Sequence, residues 1–412
     1  MHSITIIGET NWRNNRQKFG IKDRDRLAHM YGVGKTGTGK STLLLTMAIA
    51  DIQRGNGCCV IDPHGQISEI LLNYIPKERI DDVVYLNAAD DLYSVSFNPI
   101  ANIPPKFHNL AASHVISALK NFWSESWGPR LEHVLRFSIL SLLACPETSI
   151  LDVRRILTDS SFRTRILSHV TDEAVLAFWK QEFDKYSAAF RAVIIAPILN
   201  KIGALNASIP FRNILGKPQP SISIDNLMNS RKIILCNLAK GIIGEDVSSL
   251  LGSLLIASIQ SSALGRASIP EAERVPFFLF IDEAQSFVTL SLTSILSEAR
   301  KYGLGLCMVH QYIDQLDKEI RSAIFGNVGT IISFRVGASD APYLEREFRP
   351  VFDAQDLIRL PNFFFYIKLM IDGIASVPFS AETTIVANPQ SSNPKAVIES
   401  SRGNYATPIN EI

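Results

Sequence analysis

The chain has 412 residues, of which 46% are hydrophobic and 20% are charged, so extensive disorder is excluded. This length favours two or three domains rather than one. The formal net charge of +1 is too small for a protein that coats nucleic acid over its whole surface. Any contact with DNA should therefore be local, as in a lined pore.

The five cysteines are scattered through apolar runs and lack the paired spacing of a zinc site. They indicate reduced, buried thiols, as is usual in a cytoplasmic protein. The longest uncharged apolar stretch, residues 248–265, contains several serines and a glutamine, so we expect a buried helix there. The N-terminus becomes polar within ten residues, which is unlike a signal peptide. We expect a cytoplasmic chain without an integral membrane segment.

Residues 1–28 are predicted to form an irregular N-terminal arm with a short strand near residues 19–21. Apolar runs then alternate with a glycine-rich loop and an amphipathic helix. This order of strand, loop, helix and strand is typical of a parallel sheet with helices on both faces. The predicted strands cover residues 30–33, 58–61 and 83–86, and the predicted helix covers residues 42–54.

The pattern changes after two consecutive prolines, because apolar residues then recur at helical spacing. This predicts an inserted all-α domain at residues 105–218, between the two halves of an α/β core at residues 29–104 and 219–386. A tail rich in Ser, Asn and Pro, residues 387–412, is predicted to be extended. Later strands of the core are predicted at residues 232–238, 277–281, 304–309, 330–336 and 363–371.

A phosphate-binding loop follows the first buried strand and fits the pattern GxxxxGK[ST]. The glycines allow backbone N–H groups to surround phosphates, and Lys40 supplies positive charge to the β- and γ-phosphates. The Ser41 hydroxyl would ligate Mg²⁺, and the following helix adds its N-terminal dipole. We therefore predict ATP and Mg²⁺ as ligands. The predicted contacts are Gly34, Lys35, Thr36, Gly37, Thr38, Gly39, Lys40, Ser41 and Thr42.

A fully apolar strand at residues 277–281 ends in two carboxylates, Asp282 and Glu283. A buried strand can present charge only at its exposed end, which in this architecture lies beside the phosphate loop. Asp282 would then hold the Mg²⁺ shell, and Glu283 would act as the general base toward water. The alternative is an acidic cap at a strand end without catalytic function.

Gln311 ends the next predicted strand and could sense the γ-phosphate or the attacking water, although a plain polar terminus is the alternative. Hydrolysis also needs an arginine to neutralise developing charge, and ring ATPases often supply it from a neighbouring subunit. Arg300 and Arg335 are the candidates. Arg335 is favoured, because a charge at the end of an apolar strand is costly without a partner. A local salt bridge is the alternative for it.

These motifs, in this order, resemble the HerA/FtsK superfamily of ring-forming DNA-pumping ATPases. The closer likeness is to the soluble ATPase part of conjugative coupling proteins of the TraD/TraG type, which also carry an all-α domain between the two nucleotide-binding motifs. The segments that carry the resemblance are residues 34–42, 62–65, 127–130, 251–252, 280–283, 297–303, 310–312 and 326–329.

The resemblance implies a RecA-like core, a homohexameric ring, a central channel that binds DNA without sequence preference, and ATP-driven translocation. It also implies that Arg335, or else Arg300, acts across the subunit boundary. Two features depart from the families: the sequence has no N-terminal membrane spans, and about thirty residues before the loop are too few for the barrel of HerA proteins. Ala284 and Gln285 replace the bulky residue that usually follows the glutamate, which we expect to leave the chemistry unchanged.

Two biological settings remain open from the sequence. One is DNA transfer, with the chain acting as a coupling ATPase on a mobile element. The other is an antiviral-defence or repair complex with a nuclease or another effector, which the missing membrane anchor favours. A nucleotide-gated scaffold, or a secretion-type ATPase that engages a protein instead of DNA, is the alternative function.

Overall fold

The computed structural model describes residues 4–11, 15–123, 127–287, 289–384, 388–389 and 393–411. Within these ranges, eleven strands form one central sheet in the order β2-β1-β14-β11-β10-β3-β9-β8-β4-β7-β5. Two short antiparallel pairs, β12 with β13 and β6 with β15, lie outside it. The strands are β1 (Ile4–Thr10), β2 (Lys18–Lys22), β3 (Met30–Val33), β4 (Gly57–Asp62), β5 (Val83–Asn87), β6 (Tyr93–Ser94), β7 (Ile233–Asn237), β8 (Phe277–Ile281), β9 (Leu304–His310), β10 (Thr330–Ser333), β11 (Phe364–Lys368), β12 (Met370–Ile371), β13 (Ile374–Ala375), β14 (Phe379–Thr383) and β15 (Thr407–Pro408).

The seven neighbouring strands from β10 to β5 run parallel, whereas β11, β14, β1 and β2 extend the sheet in antiparallel fashion. The central strands β4, β8 and β9 are buried along their whole length. Their continuous apolar runs fit a sheet that is covered on both faces. Parallel pairing brings the carboxyl ends of β3, β4, β8 and β9 to one edge, where the predicted site residues follow.

Helices cover both faces of the sheet. One apolar cluster packs α2 and α3 on one face, and a larger cluster runs continuously from the other face through α13 and α4 into the helices of residues 105–218. The helices are α1 (Asp23–Arg26), α2 (Lys40–Gln53), α3 (Gln66–Leu71), α4 (His108–Phe122), α5 (Pro129–Leu143), α6 (Val153–Thr158), α7 (Ser160–Leu167), α8 (Glu173–Ala177), α9 (Ala188–Ala207), α10 (Ile209–Leu215), α11 (Ile224–Asn229), α12 (Lys240–Ile243), α13 (Glu245–Gly265), α14 (Leu290–Glu298), α15 (Lys318–Asn327), α16 (Ala341–Phe348), α17 (Ala354–Arg359) and α18 (Pro394–Tyr405).

The predicted fold class, an α/β protein with a mainly parallel sheet of the RecA-like type, is confirmed. The described residues between 105 and 218 form helices with short connections and no strand, as expected for the insertion. Because one apolar cluster joins this helical segment to the core, the division into separate domains stays a prediction.

The short strand predicted near residues 19–21 is present as β2, at residues 18–22. The prediction of an irregular arm is wrong for residues 4–10, which form β1 of the main sheet. A buried ion pair anchors this region: the Arg26 guanidinium donates to both carboxylate oxygens of Asp51, at 2.7 and 2.6 Å. Its flat face lies 3.6 Å from the ring centre of Phe278. Residues 1–3 and 12–14 of the predicted arm lie outside the described residues.

The prediction of an extended C-terminal tail is also wrong where the structure describes it, because residues 394–405 form helix α18. This helix covers the edge strand β5: the Ser401 hydroxyl accepts a hydrogen bond from the Tyr85 N–H at 2.8 Å, and Arg402 pairs with Asp90 at 2.7 Å. Tertiary contacts therefore override a composition that favours a flexible end. Residues 387, 390–392 and 412 of the predicted tail lie outside the described residues.

Two helices among the described residues are long and apolar enough to cross a membrane by length and composition alone. In the most apolar 18-residue stretch of Glu245–Ser268, 67% of the window is buried, as is usual for a core helix, and the corresponding share in Ala188–Ala207 is 22%. One or two such helices are weak evidence for a span, so the expected absence of a membrane segment stays a prediction.

Candidate active site

The phosphate loop joins β3 to α2 and is held between two neighbouring strands. The Gly34 N–H donates to the His310 carbonyl at 3.2 Å, and the Lys35 N–H donates to the Arg335 carbonyl at 2.8 Å. The far side is fixed by the Thr38 carbonyl, which accepts the Phe363 N–H at 2.7 Å. These bonds hold the loop in one shape before any ligand binds.

The tip of the loop faces solvent, and its glycines adopt conformations that other residues avoid. Gly37 and Gly39 have φ angles of 75° and 118°. Lys35, Thr36 and Gly37 are exposed. Helix α2 begins directly after the loop, so that Lys40, Ser41 and Thr42 form its first turn. All nine predicted contact residues therefore lie in the loop or in the first turn of the helix that follows it, and a helix N-terminus suits an anion.

The Lys40 side chain is buried and folds back over the loop. Its ammonium donates to the carbonyls of Gly34 at 2.6 Å and Lys35 at 3.1 Å. Burial lowers the pKa of Lys40, and the nearby carboxylates Glu283 and Asp282 offset this only in part. The ammonium is thus held inside the loop by bonds that phosphate oxygens could replace.

The buried carboxylate of Asp282 lies at the end of β8, with its Oδ2 3.5 Å from the Ser41 hydroxyl. Burial, together with the negative charges of Glu283 and Asp62, raises the pKa of Asp282 to about 7, although the Lys40 ammonium acts to lower it. Asp62, at the end of the neighbouring strand β4, is fully buried and accepts the N–H groups of His64 and Ser68 at 3.0 and 2.9 Å.

This arrangement fits a divalent cation. Three carboxylates share a buried edge with one ammonium, and the high pKa of Asp282 indicates a site short of positive charge. Among the described residues no group of three or more Cys, His, Asp or Glu side chains could enclose a metal ion. A cation here would therefore use the Ser41 hydroxyl, the Asp282 carboxylate, water and phosphate oxygens, as Mg²⁺ commonly does.

The Glu283 carboxylate is positioned by two amide side chains. Its Oε1 accepts from Gln311 at 3.0 Å, and its Oε2 accepts from Gln285 at 2.6 Å. Burial alone would raise the pKa of Glu283, but the amides, Lys40 and His64 together hold it below its ordinary value. Glu283 has a φ of 48°, a backbone conformation that is uncommon outside glycine.

His310 lies beside this site and has a structural role. It is fully buried, its Nε2 lies 2.5 Å from the Tyr31 hydroxyl, and burial lowers its pKa to about 4. It therefore stays neutral at physiological pH and contributes no charge. The sequence assigned it no chemistry, and its packing under the loop agrees with that interpretation.

The two candidate arginines occupy opposite edges of the sheet. Arg335 follows β10 beside the phosphate loop, and its guanidinium donates to Asn362 Oδ1 at 2.8 Å and to the Leu360 carbonyl at 3.4 Å. Arg300 is exposed just before β9 begins, at the amino edge, where its charge adds to the burial that lowers the pKa of His29 to about 4. The alternative for Arg335 was a local salt bridge, whereas its hydrogen bonds to described residues go to a neutral amide and a carbonyl.

Sequence reasoning missed Gln285 as a partner of Glu283, since Ala284 and Gln285 stood only as a departure from the family pattern. It also missed the charge that Asp62 adds next to Asp282. The sequence signal that could have identified Gln285 is its position, two residues after the predicted general base Glu283. For Asp62 the signal was its place at the end of a buried strand.

The fold and the site together define the class of protein: a P-loop ATPase with two carboxylates, Asp282 and Glu283, beside its phosphate loop. The family described as the type IV secretion-system coupling protein DNA-binding domain matches residues 18–345, which is more than half of the chain. The chain belongs to this family and is a HerA/FtsK-type ATPase close to the TraD/TraG coupling proteins. No curated protein sequence matches it significantly.

Solved structures with the same fold include the plasmid coupling protein TrwB in complex with ADP and Mg²⁺, at a TM-score of 0.63 and 17% identity over 95% of this chain and 97% of that one. TrwB with a non-hydrolysable ATP analogue gives a TM-score of 0.61 and 17% identity, covering 90% and 89%. VirB4 of Thermoanaerobacter pseudethanolicus gives 0.59 and 12% identity, covering 93% and 97%. At these identities the likeness concerns the fold.

Proposed function

We propose that this chain binds ATP with Mg²⁺ in the loop from Gly34 to Thr42, hydrolyses the ATP, and uses the cycle to move DNA in a type IV secretion transfer system. The observation that carries the proposal is the Glu283 carboxylate, held ionised by two amides beside Lys40 and Asp282. The TrwB structures that contain ADP with Mg²⁺ and an ATP analogue support the same ligands here.

We assign each residue of the site a role that its contacts support. The Lys40 ammonium exchanges its loop carbonyls for phosphate oxygens and stabilises the negative charge that develops there. Ser41 and Asp282 would hold Mg²⁺, which would neutralise phosphate charge there. The Glu283 carboxylate accepts a proton from the attacking water, and Gln311 fixes the direction of that carboxylate.

Gln311 also connects the site to a surface that suits nucleic acid. The segment after Gln311 is tied to α16, because the Ile313 N–H donates to the buried Asp340 carboxylate at 3.2 Å. Between α15 and α16 lies a cavity of about 400 Å³. Basic and aromatic side chains there suit phosphate contact and base stacking. The lining includes Lys318, Arg321, Arg346, Tyr343 and Phe325, with Glu347 as its acidic member.

A change in the contact between Gln311 and Glu283 would therefore reach the cavity through one hydrogen-bonded segment. We expect Arg346→Ala and Lys318→Ala to weaken DNA binding and to reduce its salt dependence, because each removes one phosphate contact. Basal ATP hydrolysis without DNA should stay unchanged, since neither residue touches the phosphate loop. Loss of basal hydrolysis would mean that these residues support the fold instead.

The proposal includes a homohexameric ring in which an arginine crosses the subunit boundary. The positions of the two candidates favour Arg300 for this role, because it is exposed at the edge remote from its own phosphate loop. Arg335 is bonded to the segment next to its own loop, which suits a role within its own subunit.

Mixing two inactive variants tests this assignment. Subunits with Arg300→Ala and subunits with Lys40→Ala should regain ATPase activity when mixed, because a mixed boundary joins an intact loop to an intact Arg300. Subunits with Arg335→Ala mixed with Lys40→Ala should regain none. Recovery in the second mixture and not in the first would reverse the assignment.

A second candidate function is a secretion-type ATPase that engages a protein, and the fold shared with VirB4 favours it as the alternative. Stimulation of the ATPase separates the two. We expect DNA to raise the hydrolysis rate of the purified chain, and Glu283→Gln and Lys40→Ala to abolish it. Glu271→Gln, which changes an exposed carboxylate, is the matched control. A hydrolysis rate that DNA leaves unchanged would argue against the DNA motor.

A further inference from the structure

An aromatic residue stands against the phosphate loop on the side away from the catalytic carboxylates. Phe363 follows α17 and precedes β11, and its backbone N–H is the donor that Thr38 accepts at 2.7 Å. Its ring lies next to Gly39: a Cβ placed on that glycine would meet a Phe363 ring carbon at 3.3 Å. Despite this contact the Phe363 side chain is 50% exposed. Part of a large apolar ring thus borders the loop and faces solvent.

The backbone of Phe363 adopts a strained conformation that fixes the position of its ring. Phe363 has a φ of 69°, in the left-handed region that a bulky residue rarely adopts. The conformation is fixed at both ends, since the Phe363 carbonyl also accepts the Thr383 N–H at 2.8 Å. Strained residues that persist under such constraints cluster at ligand-binding sites. An exposed phenylalanine that served only to cover the glycine would not need this backbone.

The strand order gives the ring its direction relative to a bound nucleotide. The loop follows β3. Asp282 and Glu283 lie two strands away on one side, after β8, and Phe363 lies two strands away on the other, before β11. Neighbouring strands are about 4.8 Å apart, so the two groups lie on opposite flanks of the loop. If the terminal phosphate lies beside Lys40 and the carboxylates, the base at the other end of the nucleotide lies on the Phe363 side of the loop.

We propose that the Phe363 ring is the wall on which the nucleotide base stacks. This inference rests on the proposed ATP-binding function and adds the residue that contacts the base. Stacking on an aromatic face is tolerant of base identity, because every base has a π-face. The chain should therefore use Phe363 for ATP and GTP alike, and the phosphate contacts of the loop should not depend on the ring.

The test compares a ligand that has a base with one that has none. The affinities of the full chain for ATP, GTP and inorganic tripolyphosphate, each with Mg²⁺, are measured by titration calorimetry. Phe363→Ala should lower the affinity for ATP and for GTP by about 10-fold, which is within the range expected for base stacking. Its affinity for tripolyphosphate should stay unchanged. Phe363→Tyr, which keeps the ring, should bind all three as the unsubstituted chain does. Phe190→Ala, at a half-exposed phenylalanine on α9, is the matched control.

The outcomes separate this inference from the proposed function. Unchanged ATP affinity in Phe363→Ala would overturn the stacking role and leave ATP binding intact. An equal loss for ATP and tripolyphosphate would overturn it too, because the ring would then support the shape of the loop instead of the base. Failure of the unsubstituted chain to bind ATP would refute the proposed function itself.

Discussion

Replacing Asp282 with asparagine should stabilise the ligand-free protein while abolishing hydrolysis. The side chain is 6% exposed, and burial beside Glu283 and Asp62 raises its pKa from 3.8 to about 7. Because the folded state holds the proton more tightly than the unfolded state, stability falls as pH rises from about 4 to about 7. A pKa shift of this size corresponds to a loss of ~4 kcal/mol of unfolding free energy above pH 7, where the buried carboxyl is ionised. Asp282→Asn removes the ionisable group and should restore that stability.

The assay is thermal and urea-induced unfolding without ligands at pH 8 and pH 5. At pH 8, Asp282→Asn should unfold at a higher temperature and a higher urea concentration than the unsubstituted chain. At pH 5, where the folded carboxyl is protonated, the difference in unfolding free energy should shrink to under ~2 kcal/mol. Asp91→Asn, at an exposed aspartate, should show no such change. Added Mg²⁺ should stabilise the unsubstituted chain more than the variant. Equal stability of variant and unsubstituted chain at pH 8 would refute the reasoning.

Other parts of the structure allow three simpler predictions. Asp51→Ala leaves Arg26 buried without its partner and should cost about 3–5 kcal/mol of unfolding free energy, measured from the urea midpoint. Trp179→Ala leaves a cavity in the core of the helical segment and should lower the unfolding free energy by about 3–5 kcal/mol. A loss under ~1 kcal/mol would show that the surrounding side chains fill the cavity. Gly39→Ala should abolish ATP binding without unfolding the chain, because its φ is 118° and a Cβ would approach Phe334 to 3.0 Å; circular dichroism and calorimetry check both parts.

The parallel centre of the fold could be predicted from the sequence because its strands are buried on both faces. Runs such as residues 277–281 have no polar residue and end abruptly, which is a strong local signal. The antiparallel extension gave no such signal. Strand β1 pairs with β14, more than 370 residues away, and both strands are only partly buried, so their stability comes from pairing that local sequence does not encode.

Helix α18 illustrates the same limit at the C-terminus. Serine, asparagine and glycine lower its intrinsic helix propensity, which is why an extended tail was predicted. In the structure Ser401 bonds to the edge strand β5, and Arg402 pairs with Asp90 just after that strand. Packing and two side-chain contacts outweigh propensity here, and neither is visible in the composition.

The site shows what a motif can and cannot predict. The spacing of the loop identifies Lys40 and Ser41, because the chemistry of phosphate binding requires those residues at those positions. The pKa values depend on three-dimensional neighbours: Asp62 comes from a strand 220 residues before Asp282 in the chain, and Gln285 reaches back to Glu283 only because of the turn at that residue. The roles of the individual site residues stay predictions until variants are measured.

The most direct test of the DNA motor is displacement of streptavidin from biotinylated DNA by the purified chain. With ATP and Mg²⁺ the unsubstituted chain should displace the streptavidin, and Glu283→Gln, which keeps the nucleotide contacts of the loop, should bind DNA without displacing it. A non-hydrolysable ATP analogue should give the same result as that variant. Displacement that is absent while ATP is hydrolysed, or that persists in Glu283→Gln, would contradict the account.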